Sequence, residues 1–273
     1  MIHWAKQFYH FNIGILAVDN INSTFDQQYD GEIGLRPRSS GSSELFIDAL
    51  FNAGIILNRA FGLNLKSTSE TSKATIGGYD ESVVTDFNSF KFANLTSSTL
   101  WMTSCSKVAY NGVDQGLSVS RAYVNSGDTF IGFETFSGDW YRIYSNISSG
   151  RNCGYSTSSG LRACTCTSIY NFKDMTFTVG DHDLTVSVDT WVKREASGIC
   201  AFYIDSTNYS NTTSNVILGY TFMRSHYIYY DLENTRIGFY SGEAESESQS
   251  EGYLPTRMSL SLLILIFTFL WVF

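Results

Sequence analysis

Apolar residues in this chain alternate with polar ones more often than they recur at helical spacing. In residues 175–179 Met175, Phe177 and Val179 are separated by threonines, and in 184–188 Leu184, Val186 and Val188 repeat the pattern. A period of two marks a strand with one buried face. Gly180-Asp181-His182-Asp183 lies between the two runs and suits a tight turn, so a hairpin is expected. A second hairpin is expected over residues 225–240, with Glu233-Asn234-Thr235 as its turn and Ile237 and Phe239 on one face. Asn111-Gly112 signals a further turn. Residues 42–54 read as a helix, with Ser42 or Ser43 as N-cap and Leu45, Leu50 and Phe51 near helical period. The body is therefore expected to be all-β with short helices.

Composition sharpens this picture. Charged residues make up 16% of the 273 residues, against a usual share of about 25%. Net charge is -8, and no cluster of Lys and Arg is present to meet phosphates, which excludes a nucleic-acid partner. None of the 5 cysteines forms a C-x-x-C pair, which argues against zinc ribbons and thioredoxin-type sites. No G-x-S-x-G, H-E-x-x-H or Gly-rich phosphate loop occurs, so no cofactor is expected. His182 sits between two aspartates without a second ligand cluster, and is read as part of a solvated turn rather than a metal site. N-x-S/T sequons at Asn22, Asn94, Asn146, Asn208 and Asn211, taken with the cysteines, point to the secretory pathway and its cell-surface or endolysosomal membranes.

The two ends carry their own signals. Residues 1–18 contain an apolar run broken by His10 and Asn12, unlike a signal peptide, so either export needs none or the true start lies upstream. Residues 258–273 are uncharged and apolar, and 243–257 form an acidic linker with small residues. That layout suits a glycolipid-anchor signal with Ser246 or Ser250 as the attachment residue. A short single-pass anchor is the alternative. Either reading gives the chain a membrane as partner.

Several segments, in one order, resemble the pepsin-like aspartic endopeptidases. Asp30-Gly31-Glu32-Ile33-Gly34-Leu35 resembles a segment late in the family's first lobe, residues 51–65 the helix and strand that follow, and residues 74–80 the Gly-Gly strand leading to the second lobe. Residues 122–133 resemble the second lobe's apolar-Asp-Thr/Ser-Gly loop, and 216–239 its closing strands, with Ile217-Leu218-Gly219 as the apolar-apolar-Gly turn. The resemblance implies a pepsin-like fold with a partial first lobe (1–80) and a complete second lobe (81–242). It implies a Cys166–Cys200 disulfide, leaving Cys153 and Cys164 to close a local loop and Cys105 unpaired. It also implies peptide-bond hydrolysis by two Asp carboxylates that share one proton across a water, and a peptide or protein as substrate.

Two departures bear on that activity. No Asp-Thr/Ser-Gly loop lies before Asp30, and the position of the family's second-lobe Asp is Asn125, followed by Ser126, Gly127 and Asp128. An amide is not deprotonated near neutral pH and cannot act as general base. Asp128 stands where the family has Thr or Ser. It either accepts a hydrogen bond from the Asn125 amide, as a surrogate charge, or satisfies backbone donors of its own loop. The chain is thus expected to be a non-catalytic family member, with an active, anchored endopeptidase known here in truncated form as the alternative.

Overall fold

The computed structural model describes residues 33–37, 44–67, 71–135, 137–195, 198–207 and 215–242. The expected alternation is present as strands. In chain order these are β1 (Ala60–Asn64), β2 (Lys73–Ile76), β3 (Lys91–Asn94), β4 (Met102–Tyr110), β5 (Val113–Asp114), β6 (Arg121–Val124), β7 (Ile131–Glu134), β8 (Cys153–Tyr155) and β9 (Arg162–Thr165). They continue as β10 (Met175–Val179), β11 (His182–Val186), β12 (Val192–Arg194), β13 (Ile199–Phe202), β14 (Ile204–Thr207), β15 (Asn215–Leu218), β16 (Tyr227–Asp231) and β17 (Arg236–Tyr240). The helices are α1 (Phe46–Asn52), α2 (Asp139–Ser148), α3 (Val188–Trp191) and α4 (Tyr220–Met223).

Three sheets result. A five-stranded sheet has the order β2-β1-β16-β17-β3. An eight-stranded sheet runs β11-β10-β4-β6-β15-β7-β14, with β5 paired to β4. A four-stranded sheet has the order β12-β13-β9-β8.

The β10–β11 hairpin pairs Met175 with Val186 and Val179 with His182. Met175, Phe177, Val179, Leu184 and Val186 are all fully buried on its inner face, while Thr176 and Thr185 meet on the outer one, their hydroxyls 3.0 Å apart. The turn is tighter than expected. His182 belongs to β11, and its Nε2 lies 3.2 Å from the Phe92 carbonyl, so it braces β3 rather than facing solvent in a turn. Val188, expected on the second strand, is buried in α3. The Asn111-Gly112 turn joins β4 to β5 with φ values of 55° and 72°, the paired positive angles of a two-residue hairpin loop.

The helix over 42–54 is shorter and rotated relative to expectation. α1 begins after Leu45, which makes no side-chain cap, and its buried residues are Ile47, Ala49 and Leu50, with Phe51 exposed. Ser42 and Ser43 lie outside the described residues. The longest described helix, α2, has no counterpart among the expected elements. It buries Trp140, Ile143 and Ile147, spaced three and four apart, and its aromatic and β-branched residues have high strand propensity that masked this period.

Two disulfides brace the four-stranded sheet. Cys153–Cys164 links the paired strands β8 and β9, and Cys166–Cys200 joins the end of β9 to β13 across 34 residues. Cys105 is free and buried, and burial pushes its thiol up to about 12, which leaves it inert. By contact, residues 1–242 form one unit and Glu243–Phe273 a second, whose residues, with Ser246, Ser250 and the apolar tail, lie outside the described set, as do Asn22, Asn208 and Asn211. Among the described residues no helix is long and apolar enough to cross a membrane.

Removing the Cys166–Cys200 bridge by a double Ser substitution frees a long loop in the unfolded chain. Urea unfolding is expected to show a loss of about 3–4 kcal/mol, and an unchanged midpoint would contradict this.

His226 gives the fold an acid sensitivity. Its ring is buried, stacks on Phe222 at 4.6 Å, and places Nδ1 3.3 Å from the Phe222 carbonyl, while Nε2 has no partner among the described residues. Burial lowers its pKa from 6.5 to about 4, and the Lys91 charge acts in the same direction. The unfolded chain therefore takes up a proton first. The stabilisation is complete above pH 6.5 and is lost as pH falls through that value toward 4. The loss should total about 3 kcal/mol. Comparing denaturation of the wild type and His226→Phe between pH 7 and 4 checks it: the variant should lose less stability, and parallel slopes would count against this role.

Candidate functional site

The site forms where two strands run parallel. β15 pairs with β6 in parallel register, Leu218 opposite Val124, and with β7 antiparallel, Leu218 opposite Ile131. The chain leaving β6 must turn back to enter β7 around β15, and it does so through residues 125–130. The Asn125 N–H donates to the Leu218 carbonyl at 3.2 Å, which ties the start of the loop to the end of β15. On the other side the Tyr220 N–H donates to the Asp128 carbonyl at 2.6 Å, and the Thr221 hydroxyl to the Thr129 carbonyl at 2.7 Å.

Gly219 makes this closure possible. A Cβ at this position would lie 2.3 Å from the Phe130 carbonyl oxygen and 2.4 Å from that of Asp128, both backbone atoms that cannot swing aside. Glycine is required here by close approach, not by a left-handed angle. The Tyr220 hydroxyl donates to the Lys66 carbonyl, tying α4 to the segment after β1.

Within the loop, the Asn125 side chain is fixed at both ends. Its Oδ1 accepts from the Gly127 N–H at 3.2 Å, an Asx turn, and its Nδ2 donates to Asp128 Oδ2 at 2.5 Å. The loop's own backbone donors are met elsewhere, the Asp128 N–H by the Asn125 carbonyl at 3.2 Å. The amide orientation follows from its partners, because an ionised carboxylate only accepts and so must face the NH2 end. Ser126 and Gly127 are exposed, whereas Asn125 and Asp128 are half-buried. The loop thus presents one neutral amide bound to one carboxylate. It can donate and accept hydrogen bonds, but at position 125 it offers no group that takes a proton from water.

Asn125, Ser126, Gly127 and Asp128 come together on the wall of a cleft of about 660 Å³. Residues 33–36 also line it, and the Leu35 carbonyl accepts from the Trp101 indole N–H at 2.6 Å. Phe61, Trp101 and Tyr230 also line the cleft: Phe61 stacks on Tyr230 at 4.4 Å, and Trp101 meets Tyr230 edge-on at 4.8 Å. Burial pushes the Tyr230 phenol up, so it stays neutral. These three aromatics were not anticipated. Their only mark in the sequence is position on strands, Phe61 in β1 and Tyr230 in β16, which become neighbours by antiparallel pairing. Arg36 also lines the cleft, as its one cationic side chain among the described residues.

Comparison with known proteins agrees with this geometry. The eukaryotic aspartyl protease family profile matches residues 11–241. The chain is 24% identical over 215 residues to pepsin-3 of Oryctolagus cuniculus, covering 77% of this chain and 53% of that protein. It is 23% identical over 220 residues to gastricsin of Callithrix jacchus, covering 78% and 54%. It is 25% identical over 220 residues to a pregnancy-associated glycoprotein of Equus caballus, covering 77% and 53%. The chain therefore spans about half the length of the curated relatives it matches. In fold it is similar to the aspartic proteinase from Irpex lacteus, with a TM-score of 0.65, 19% identity, and coverage of 82% of this chain and 71% of that one. With a family profile spanning most of its length and a matching pepsin-like fold, this chain belongs to the eukaryotic aspartyl protease family.

Proposed function

We propose that this chain is a non-catalytic member of the family that keeps its cleft as a binding site for peptide segments. The observation that carries this reading is the Asn125 amide, bonded to Asp128 where the family's second carboxylate would stand. The family's mechanism needs two carboxyls that share a proton over one water, one acting as base and the other as acid. Whatever chain supplies the opposing carboxyl, position 125 contributes none. General acid–base catalysis is worth about 10²–10⁴-fold, so the pair's loss removes the route rather than slowing it. What remains is an aromatic-floored cleft with polar loop atoms, the makeup of a ligand site.

The reading extends to location. Two disulfides and exposed sequons at Asn94 and Asn146 support an oxidising compartment with glycan attachment. The apolar residues 258–273 support attachment to a membrane, by a glycolipid or a short span. We keep the two-lobe division at residue 80 as part of the proposal, with β1 and β2 as the first lobe's contribution to the five-stranded sheet. A second reading, an active anchored endopeptidase of which this is one part, is favoured by the half-length match to its relatives.

Binding and turnover separate these readings. The full chain, incubated between pH 3 and 7 with a statine-type peptide such as pepstatin and, separately, with unmodified peptides, should bind and yield no cleavage products. Cleavage that Asp128→Asn abolishes would overturn the non-catalytic reading. Absence of any affinity across that range would remove the cleft reading.

Asn125→Asp tests the loop chemistry directly. The substitution sets two carboxyls at hydrogen-bonding distance within one loop, where they cannot both ionise freely. Carboxyl titration by NMR should show one group above about pH 5, and adding Asp128→Thr should return the remaining one to the ordinary range. Two ordinary carboxyl titrations in the single variant would contradict the pairing.

A further inference from the structure

The five-stranded sheet has two working faces. Along β16, Ile228 and Tyr230 point to the main core and the cleft, and Tyr227 and Tyr229 to the opposite side. There the segment after β2 folds back and lays Tyr79, Phe87 and Phe90 over the sheet. Tyr79, Phe87 and Tyr229 form a closed aromatic corner. Tyr79 and Phe87 are 5.5 Å apart, Tyr79 meets Tyr229 edge-on at 5.9 Å, and Phe87 meets Tyr229 edge-on at 5.6 Å. Beside that corner lies a pocket of about 490 Å³, rimmed by Glu81, Asp231, Glu233 and Arg236.

The charges around it do not cancel. Asp231 is buried and already engaged, accepting from Arg236 Nε at 2.8 Å and from the Asn234 side-chain amide at 2.9 Å. Arg236 is committed twice, since its guanidinium also lies 3.8 Å over the Phe92 ring. Lys73, the nearby ammonium, pairs with Asp80 at 2.7 Å. Glu81 and Glu233 remain exposed, and among the described residues neither has an ion-pair partner. A second, independent observation points inward. Tyr229 is 6% exposed and lines the pocket, yet its hydroxyl has no hydrogen-bond partner among the described residues. Burial first, then Asp231 and Arg236, then Tyr79 and Glu233 set its titration, with a net push up to about 12, so the phenol oxygen stays a neutral acceptor or donor facing negative charge.

We propose that this pocket binds an organic cation, an alkylammonium or guanidinium group, with its charge between Glu81 and Glu233 and its N–H donating to the Tyr229 hydroxyl. Aromatic faces attract such cations and hold their alkyl stems, while two unneutralised carboxylates disfavour anions. A bare metal ion does not suit the site, because no group of three metal-ligating side chains exists among the described residues. The site lies on the far face of the sheet from Asn125, so it stands or falls independently of the proposal for the cleft.

The full chain is titrated with butylammonium, with Nα-acetyl-lysine methylamide, and with the norleucine counterpart that keeps the stem and lacks the charge. Tyrosine ring shifts in NMR report occupancy. Both cations should saturate while the norleucine compound does not. Glu81→Gln and Glu233→Gln, surface changes that leave the fold intact, should each weaken binding by up to about fivefold. Tyr229→Phe should weaken it as well while leaving the aromatic packing in place. Equal affinity for the two cations assigns recognition to the cationic head group alone, and tighter binding of the lysine compound assigns it to a peptide side chain. Absence of saturation, equal binding of the norleucine compound, or unchanged affinity in both Gln variants would overturn the proposal.

Discussion

The close approach of Gly219 to the carbonyls of Asp128 and Phe130 is the constraint on which the rest of the site depends. β15 passes between β6 and β7, parallel to one and antiparallel to the other, so the chain joining those two strands must bend around its end. Only a residue without a Cβ lets the backbone of that bend press against β15. Once it does, the Leu218 carbonyl, the Tyr220 N–H and the Thr221 hydroxyl fix the loop from residue 125 to 129. Asn125 and Asp128 are then placed by backbone bonds, and their side chains bond to each other and to the Gly127 N–H. The ends of the loop are thus held by backbone bonds to β15 and α4, and the Asn125 side chain closes the turn between them.

What changes is the charge pattern. A carboxyl pair across a cleft creates a shared proton and an activated water. An amide bonded to a carboxylate within one loop turns that interaction inward, and each group satisfies the other. Phe61, Trp101 and Tyr230, which also line the cleft, lie outside that loop, Phe61 on β1 and Tyr230 on β16. Binding surface and reactive groups therefore sit on separable parts of the fold. A change in the loop's polar groups leaves the packing of the three aromatics in place.

Much of this was legible in the chain itself. The Met175–Val179 and His182–Val186 hairpin follows from period-two alternation, and the Asn111-Gly112 turn from the two residues that tolerate positive φ. The loop at Asn125 and the turn at Gly219 were visible through resemblance. Other features were not, for physical reasons. α2 uses Trp, Tyr and Ile, which favour strands locally, and tertiary burial of Trp140, Ile143 and Ile147 overrides that preference. α1 takes its register from packing of Ile47 and Leu50, not from a Ser cap. His182 reads as a turn residue until its contact with Phe92, ninety positions away, is known. The cleft aromatics and the Tyr79–Tyr229 corner are likewise products of long-range pairing, which single-sequence periodicity does not encode.

The bond between the Asn125 amide and the Asp128 carboxylate is the central claim, and side-chain amide NMR of Asn125 measures it most directly. The account predicts one Nδ2 proton shifted downfield and slow to exchange, returning to ordinary values in Asp128→Ala. Two Asn125 amide protons with the shifts and exchange of a solvated asparagine, unchanged by that substitution, would contradict it.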